Sequence, residues 1–239
     1  ALKQSNEITV EVWFKPGNLK QNGPARLVTI SKNASERNFT IGQKAANLQS
    51  RLRTTRTSKN GMPAIDTTPI LSEKLTHAVY VRDSSGNASL YVNGKKVKGQ
   101  MTAGAMSNWD SSYRLALGNE LSGERPWLGT LYLVAIYNRD LSAKEVALHF
   151  KSGAQAKMDP TKLAAAQNEH LFETKIAPLL SKHCLECHDP ATAKGDLDLS
   201  QKLTAFADKD MIVPGKHEIS VLWEAVAKNE MPKKRTPLS

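Results

Sequence analysis

The stretch THAVYVRDSSGNASLYVNGKKV, from Thr76 to Val97, carries the clearest folding signal in the chain. Residues 76–82 and 88–92 are rich in β-branched and aromatic side chains, and a polar Asp-Ser-Ser-Gly turn separates them. Asn93-Gly94 then leads into Lys95. Because Asn and Gly accept the positive φ angles of a type I′ turn, this dipeptide predicts a tight hairpin. The stretch therefore predicts consecutive β-strands joined by short turns.

Similar short strands, divided by turn residues, are predicted on both sides of this hairpin. They cover residues 8–14, 26–31, 39–42, 49–57, 113–118 and 129–137. A short helix should follow Leu141, because Ser142 and Glu145 have the spacing of a capping box. Many short strands with frequent turns predict an all-β sandwich over residues 1–152.

Three segments of this part resemble the laminin-G, or concanavalin-like, jelly-roll family. They are Glu11–Phe14, Leu90–Gly94 and Ala135–Ser142. The resemblance implies a jelly-roll sandwich that binds sugars, sulfated polysaccharides or proteins, with calcium in some members. Such domains usually begin with a strand that pairs with the last one, and no such strand is evident before Ile8. A clipped N-terminus, or a different closure of that edge, is therefore expected.

The charge of the chain is concentrated in its N-terminal part. The formal net charge is +10, and residues 1–152 hold 21 Lys and Arg against 11 Asp and Glu. A basic surface favours anionic partners, but without a basic helix, binding to nucleic acid is not expected.

The alternation of side chains along a strand directs Arg51 and Arg53 to one face, with Arg56 and Lys59 close behind in the sequence. This patch predicts docking of sulfate or carboxylate groups; a solvated sheet face is the simpler interpretation.

Other polar and aromatic side chains of the sandwich admit two interpretations. The tryptophans Trp13, Trp109 and Trp127 could stack on sugar rings, although core packing is the commoner role. Asn119-Glu120 could contribute to a calcium site, but one such pair falls far short of the six to eight oxygens that calcium takes. The sequence shows no nucleophile–base–acid grouping here, so no enzyme activity is predicted.

A linker and a helical segment follow the sandwich. Residues 153–167 lose β character, and Asp159-Pro160 is a helix-start signal. Beyond residue 168, apolar side chains recur at helical spacing, with a break expected near Pro178. These patterns predict a small all-α domain over residues 168–239.

The segment Cys184-Leu185-Glu186-Cys187-His188 contains the only two cysteines of the chain. This spacing is the attachment signature of a c-type haem. Cys184 and Cys187 are predicted to form thioethers with the haem, and His188 to be the proximal iron ligand. A zinc site would lack a fourth ligand, and a thioredoxin-like disulfide would need a βαβ pattern that is absent here.

The order of motifs around this segment resembles the planctomycete-type cytochrome c domain, a mono-haem relative of class I cytochromes c. The resemblance covers nearly all of residues 168–239. Met231, 43 residues after His188 and directly before a proline, matches the family's distal-ligand position. His217 is the main alternative, Met211 is expected to pack, and His183 should point away from the iron. The family's C-terminal helix would begin at Ser239, so a truncated chain, a partner that covers this side of the haem, or a more exposed haem is expected.

Together these features predict an exported, periplasmic or extracellular electron carrier whose sandwich docks to a polysaccharide, to an anionic protein surface or to its redox partner. Export follows from covalent haem attachment, which takes place outside the cytoplasm. No apolar run is long enough to span a bilayer. An adhesion protein with a structural or sensory haem is the alternative, and peroxidase activity would require a labile Met231 ligand.

Overall fold

The structure is a computed structural model that describes residues 2–154, 160–206 and 208–233. The chain forms two compact units, Ala1–Ala166 and Gln167–Ser239. Within the described ranges, no helix is both long and apolar enough to cross a membrane.

The first unit is a sandwich of two five-stranded antiparallel sheets. Sheet A has the order β10-β1-β6-β7-β8, and sheet B has the order β5-β4-β3-β2-β9. The strands are β1 Ile8–Pro16, β2 Ala25–Ser31, β3 Arg37–Lys44, β4 Asn47–Leu52, β5 Ile65–Asp66, β6 Thr76–Arg82, β7 Asn87–Val92, β8 Lys95–Met101, β9 Arg114–Leu117 and β10 Gly129–Tyr137. The expectation that the sandwich lacks a first strand paired with its last one is wrong, because β1 itself pairs with β10 along its length, from Thr9 opposite Tyr137 to Pro16 opposite Gly129.

The predicted hairpin is confirmed. Strands β6, β7 and β8 are sequential neighbours in sheet A, and the turn residues Asn93 and Gly94 have φ angles of 50° and 75°.

Strand β4 is shorter than predicted and ends at Leu52, because a turn follows it. There Thr57 Oγ1 donates to the Leu52 carbonyl at 2.8 Å and accepts from the Thr54 N–H at 2.7 Å. Side chains that bond the neighbouring backbone in this way compete with sheet pairing.

The core lies between the two sheets. Alternate residues of β1 supply it, and Ile8, Val10, Val12 and Phe14 are all fully buried. Their neighbours on the other face of β1 are buried too, because helix α2 (Ala143–Ser152) packs against that face.

The predicted capping box of α2 is confirmed. The Ser142 hydroxyl accepts from the Glu145 N–H at 3.2 Å, and the Ser142 N–H donates to the Glu145 carboxylate at 2.9 Å.

The chain beyond the sandwich is helical. Its helices are α3 Pro160–Leu171, α4 Ala177–His183, the four-residue α5 Lys202–Ala205 and α6 Val221–Ala227, with 3₁₀ turns at Lys194–Asp196 and His217–Ile219. In the first unit, a four-residue helix, α1 (Leu2–Ser5), precedes β1, and a 3₁₀ turn at Met106–Asn108 lies between β8 and β9. The predicted helix cap Asp159 lies outside the described residues.

A π-helical turn at Phe172–Ile176 joins α3 to α4, where a break was expected. It ends two residues before Pro178, with the Ala177 N–H bonded to the Phe172 carbonyl. Because proline has no N–H to donate, a widened turn at this point lets the helix continue without a full set of α-helical hydrogen bonds.

Candidate functional site

The Cys184–His188 segment is a compact turn at the end of α4. The Cys184 N–H donates to the Leu180 carbonyl at 2.8 Å, which closes the last turn of the helix. The Cys184 carbonyl then accepts from the N–H groups of Cys187 and His188, at 3.1 and 3.0 Å. Both cysteines are half-buried and form no disulfide. Short-range hydrogen bonds therefore hold the two thiols and the imidazole of the motif together.

Two more backbone bonds fix the motif to the chain that follows it. The Lys194 N–H donates to the Cys187 carbonyl at 2.9 Å, and the Leu199 N–H donates to the His188 carbonyl at 2.8 Å. The Lys194 ammonium lies 3.7 Å from the Cys187 sulfur. The loop after the motif thus folds back over it and forms part of a cavity wall.

A cavity of about 370 Å³ opens beside the motif. Its volume lies in the range of cofactor sites, roughly 300–1,000 Å³, and its lining is mainly apolar. It is bordered by Cys184, Cys187, His188, Leu197, Leu199, Met211, Val221, Leu222, Val226 and Met231, among others. The His188 Nδ1 is buried and has no hydrogen-bond partner among the described residues.

This set of side chains fits a covalently attached haem. Two thiols, an imidazole and a thioether around an apolar cavity are the donors that cytochromes c use. Within the described ranges no group of three or more His, Cys, Asp and Glu side chains could hold a bare metal ion. That result does not argue against haem, because a haem iron would need fewer protein ligands than a bare metal ion.

Two of the three candidates for the sixth iron ligand border the cavity, and the third does not. Met231 and Met211 both border the cavity. His217 does not: its side chain is 65% exposed, lies 3.6 Å from the Glu218 carboxylate and packs edge-on against Trp223. His183, expected to point away from the iron, also borders the cavity, which sequence reasoning did not foresee.

The predicted basic patch of the sandwich is less uniform than the alternation suggested. Arg51 is half-buried and donates to Gln49 at 2.7 Å and to Asn60 at 2.9 Å. Burial, followed by the nearby Arg26 charge, lowers the pKa of Arg51. Arg53 lies beyond the end of β4, so strand alternation does not set its direction. Its carbonyl accepts from the Trp109 indole.

The other two members of this patch, Arg56 and Lys59, are exposed. They lie on the loop between β4 and β5. The four basic side chains are therefore divided between a strand and a loop.

The three sandwich tryptophans are packing residues. Trp13, Trp109 and Trp127 are each at most 9% exposed. Trp13 stacks on His77 with a centroid distance of 4.6 Å. The Trp127 indole donates to Gln43 at 2.8 Å. Burial of their rings means that none of the three offers an open platform for a sugar.

The suggested calcium pair has other partners. Glu120 is buried, accepts from Arg26 Nε at 2.5 Å and from the Ser31 hydroxyl, and lies 3.5 Å from Arg37. The Asn119 side chain accepts from the N–H groups of Glu120 and Arg125. Buried ion pairs with Arg26 and Arg37 thus engage Glu120, the residue considered as a possible calcium ligand.

A second buried charged cluster was missed by sequence reasoning. Glu11, on the outer face of β1, contacts His77 at 2.9 Å, His149 at 2.8 Å and the Tyr137 hydroxyl at 3.0 Å. Burial would raise the pKa of Glu11, but the bonds to His149 and His77 outweigh it and hold the pKa at about 2. The only sequence signal was a single acidic residue among the otherwise uncharged residues from Ile8 to Phe14.

Comparison with known proteins agrees with this two-part structure. A family model described as the concanavalin A-like lectin/glucanases superfamily matches residues 1–147, and one described as planctomycete cytochrome C matches residues 184–235. The cysteines, His188 and Met231 all lie in the second range. A search of curated proteins gave no significant match.

Several solved structures share the sandwich fold. A CBM40 module of the Ruminococcus gnavus IT-sialidase, bound to α2,3-sialyllactose, has a TM-score of 0.50 at 17% identity, covering 59% of this chain and 80% of the module. A second structure of the same module has a TM-score of 0.50 at 18% identity, with coverage of 61% and 83%. A pentraxin from Limulus polyphemus has a TM-score of 0.45 at 15% identity, with coverage of 60% and 69%. At these identities the likeness concerns the fold alone.

Proposed function

Because the chain belongs to the concanavalin A-like lectin/glucanases superfamily over residues 1–147 and carries a planctomycete cytochrome C domain over residues 184–235, we propose that it is an exported electron-transfer protein. Its helical unit binds one covalent haem, and its sandwich docks that haem to a glycan or to an anionic protein surface. The observation that carries the proposal is the cavity that two cysteines, His188 and Met231 border together.

Each of these residues has a defined role in the proposed site. Cys184 and Cys187 attach the haem through thioethers, and His188 is the proximal ligand. Met231 is the distal ligand, and its thioether favours the reduced state of the iron. The bound haem supplies a reversible one-electron couple.

The rest of the cavity determines the environment of that couple. Leu197, Leu199 and Leu222 make much of the cavity lining apolar, and an apolar surrounding would favour the less charged redox state. If His188 and Met231 both hold the iron, the site would keep no open coordination position for a substrate. We therefore propose an electron carrier and no enzyme activity.

The role of the sandwich rests on charge and on fold. Residues 1–152 carry the whole net charge of +10. Long-range attraction would therefore bring anionic partners to the sandwich, and salt would weaken that attraction. The CBM40 module of the Ruminococcus gnavus IT-sialidase, which has this fold, is bound to α2,3-sialyllactose. The sandwich fold and the positive charge of residues 1–152 together support docking of this chain to an anionic glycan.

An absorption spectrum of the oxidised and reduced protein, with a pyridine haemochrome assay, tests the haem proposal. We expect one haem c per chain and a weak thioether–iron band in the ferric state. Absence of a c-type haem would refute the proposal. A haem that exchanges no electrons with small c-type donors would instead favour the adhesion alternative, and rapid reaction with peroxide would favour an enzyme.

Export is tested separately by cell fractionation. Haem-loaded protein should be found outside the cytoplasmic membrane, because covalent attachment takes place there. Haem-loaded protein confined to the cytoplasm would refute this part of the proposal.

A further inference from the structure

A second cavity lies in the sandwich. It is an open cleft of about 390 Å³ between the β1–β2 loop and the β9–β10 loop. The β1–β2 loop contributes Gln21 and Asn22, and the β9–β10 loop contributes Glu124, Arg125, Pro126, Trp127 and Leu128. Its volume suits a small ligand, such as one or two sugar rings.

Hydrogen bonds hold the two sides of the cleft at a fixed separation. The Gln21 amide donates to the Leu128 carbonyl at 2.8 Å and accepts from the Leu128 N–H at 2.6 Å, so it bridges the two loops directly. Gln21 also donates to Gln43 at 3.1 Å, and Gln43 in turn accepts from the Trp127 indole. A cleft fixed in this way loses little conformational entropy when a ligand binds.

The cleft has one acidic and one basic side chain, Glu124 and Arg125, and they differ in their hydrogen bonds. The Glu124 carboxylate accepts from the Ser122 hydroxyl at 2.7 Å and from the Ala34 N–H, on the β2–β3 loop, at 3.4 Å. The hydrogen bond from Ser122 is the main reason that the pKa of Glu124 is lowered, and the Arg125 charge lowers it further. The Arg125 side chain is exposed, and its guanidinium donates no hydrogen bond to any residue that the structure describes. The five donors of Arg125 are therefore available to a ligand.

The surfaces beside Arg125 suit a sugar ring. Pro126 is exposed, and Leu128 is 62% exposed, so together they offer an apolar patch for the C–H face of a ring. On the opposite side the exposed Asn22 amide can donate to and accept from hydroxyl groups. A guanidinium binds a carboxylate in bidentate geometry.

We infer that this cleft binds a sugar that carries a carboxylate. The carboxylate lies on Arg125, the ring lies against Pro126 and Leu128, and a ring hydroxyl bonds to Asn22. The inference rests on the proposed docking role of the sandwich and names the site and the chemical class of its ligand. It does not involve the haem unit.

Calorimetric titration of the full-length chain with trigalacturonate, at low ionic strength, tests this inference. We expect Arg125→Gln to weaken binding by about tenfold or more, because hydrogen bonds to a charged group are lost. Asn22→Ala should weaken binding by a few-fold. Arg114→Gln removes an exposed arginine on β9, outside the cleft, and should leave binding unchanged. The tryptophan fluorescence of each variant checks that the sandwich is folded.

Each contrary result overturns a different part of the inference. Unchanged binding by Arg125→Gln would move the ligand to another site while leaving glycan docking intact. Equal binding of cellotriose would remove the need for a carboxylate, and equal binding of a triglutamate peptide would replace sugar recognition with simple charge attraction. If no oligosaccharide binds the wild-type chain, glycan docking fails as well. Because the assay does not depend on redox activity, failure of electron transfer would be recognised separately.

Discussion

The Glu11 cluster allows a quantitative prediction about acid stability. Its carboxylate is 3% exposed, and its pKa is lowered from 4.5 to about 2. A folded-state pKa below the unfolded value means that the ionised group stabilises the fold at neutral pH. That stability is present above pH 4.5 and is lost as the pH falls towards 2. The full contribution is about 3 kcal/mol, at about 1.4 kcal/mol for each pH unit.

The perturbation is Glu11→Gln, which keeps the shape of the side chain and removes its charge. We expect the free energy of unfolding to fall by about 3 kcal/mol at pH 7, because the hydrogen bonds to His77 and His149 are no longer charge-assisted. At pH 3 the wild-type protein should itself have lost about 2 kcal/mol of the contribution of Glu11. The two stability curves should therefore converge as the pH falls.

Urea unfolding, followed by tryptophan fluorescence between pH 7 and pH 3, measures this difference. Trp13 stacks on His77, so its emission reports on the region next to the cluster. Glu73→Gln changes an exposed carboxylate and serves as the matched control, with little effect expected at any pH. A constant difference between wild type and Glu11→Gln across this range would refute the reasoning, because it would show that ionisation of Glu11 does not stabilise the fold.

Three further outcomes are expected. Met231→Ala should abolish the thioether–iron band of the ferric spectrum, whereas Met211→Ala should retain it; the opposite pattern would exchange their roles. Cys187→Ala should leave one thioether link to the haem in place of two. The pyridine haemochrome absorption should then shift towards that of a haem with one unreacted vinyl group. An unchanged spectrum would contradict thioether formation at this residue. Glu120→Gln should lower the free energy of unfolding by about 3–5 kcal/mol, because Arg26 and Arg37 would then lack a buried counter-charge; urea titration measures this, and a loss below 1 kcal/mol would contradict it.

Features that depend on local sequence were predicted well. The bounds of β6 and β10 were predicted to the residue, and the Asn93-Gly94 turn and the capping box of α2 are present as expected. These features depend on residues no more than about ten positions apart. In each case backbone preference and side-chain alternation act within one element. The turn at Cys184–His188 is local in the same sense, because short-range backbone hydrogen bonds hold its two cysteines and His188 together; the role of this turn in haem attachment stays a prediction.

Features that depend on distant contacts were not predictable. The two-residue strand β5 was missed, because its pairing with β4 leaves no periodic pattern in so short a segment. Tertiary contacts also decided that Glu120 pairs with two arginines and that Glu11 meets two histidines. Their partners lie 66 to 138 residues away in the sequence.

The sequence by itself determined the two-part organisation, the strand pattern and the residue spacing of the Cys184–His188 turn, because composition, alternation and local spacing encode them. Only the tertiary structure decided which polar side chains are accessible. It buried the three sandwich tryptophans and left Arg125 exposed at a cleft between two loops that are about 100 residues apart. It also brought Met211 and His183 to the cavity beside Met231. The physical reason is that burial and proximity depend on how strands and loops pack, and no local pattern records this.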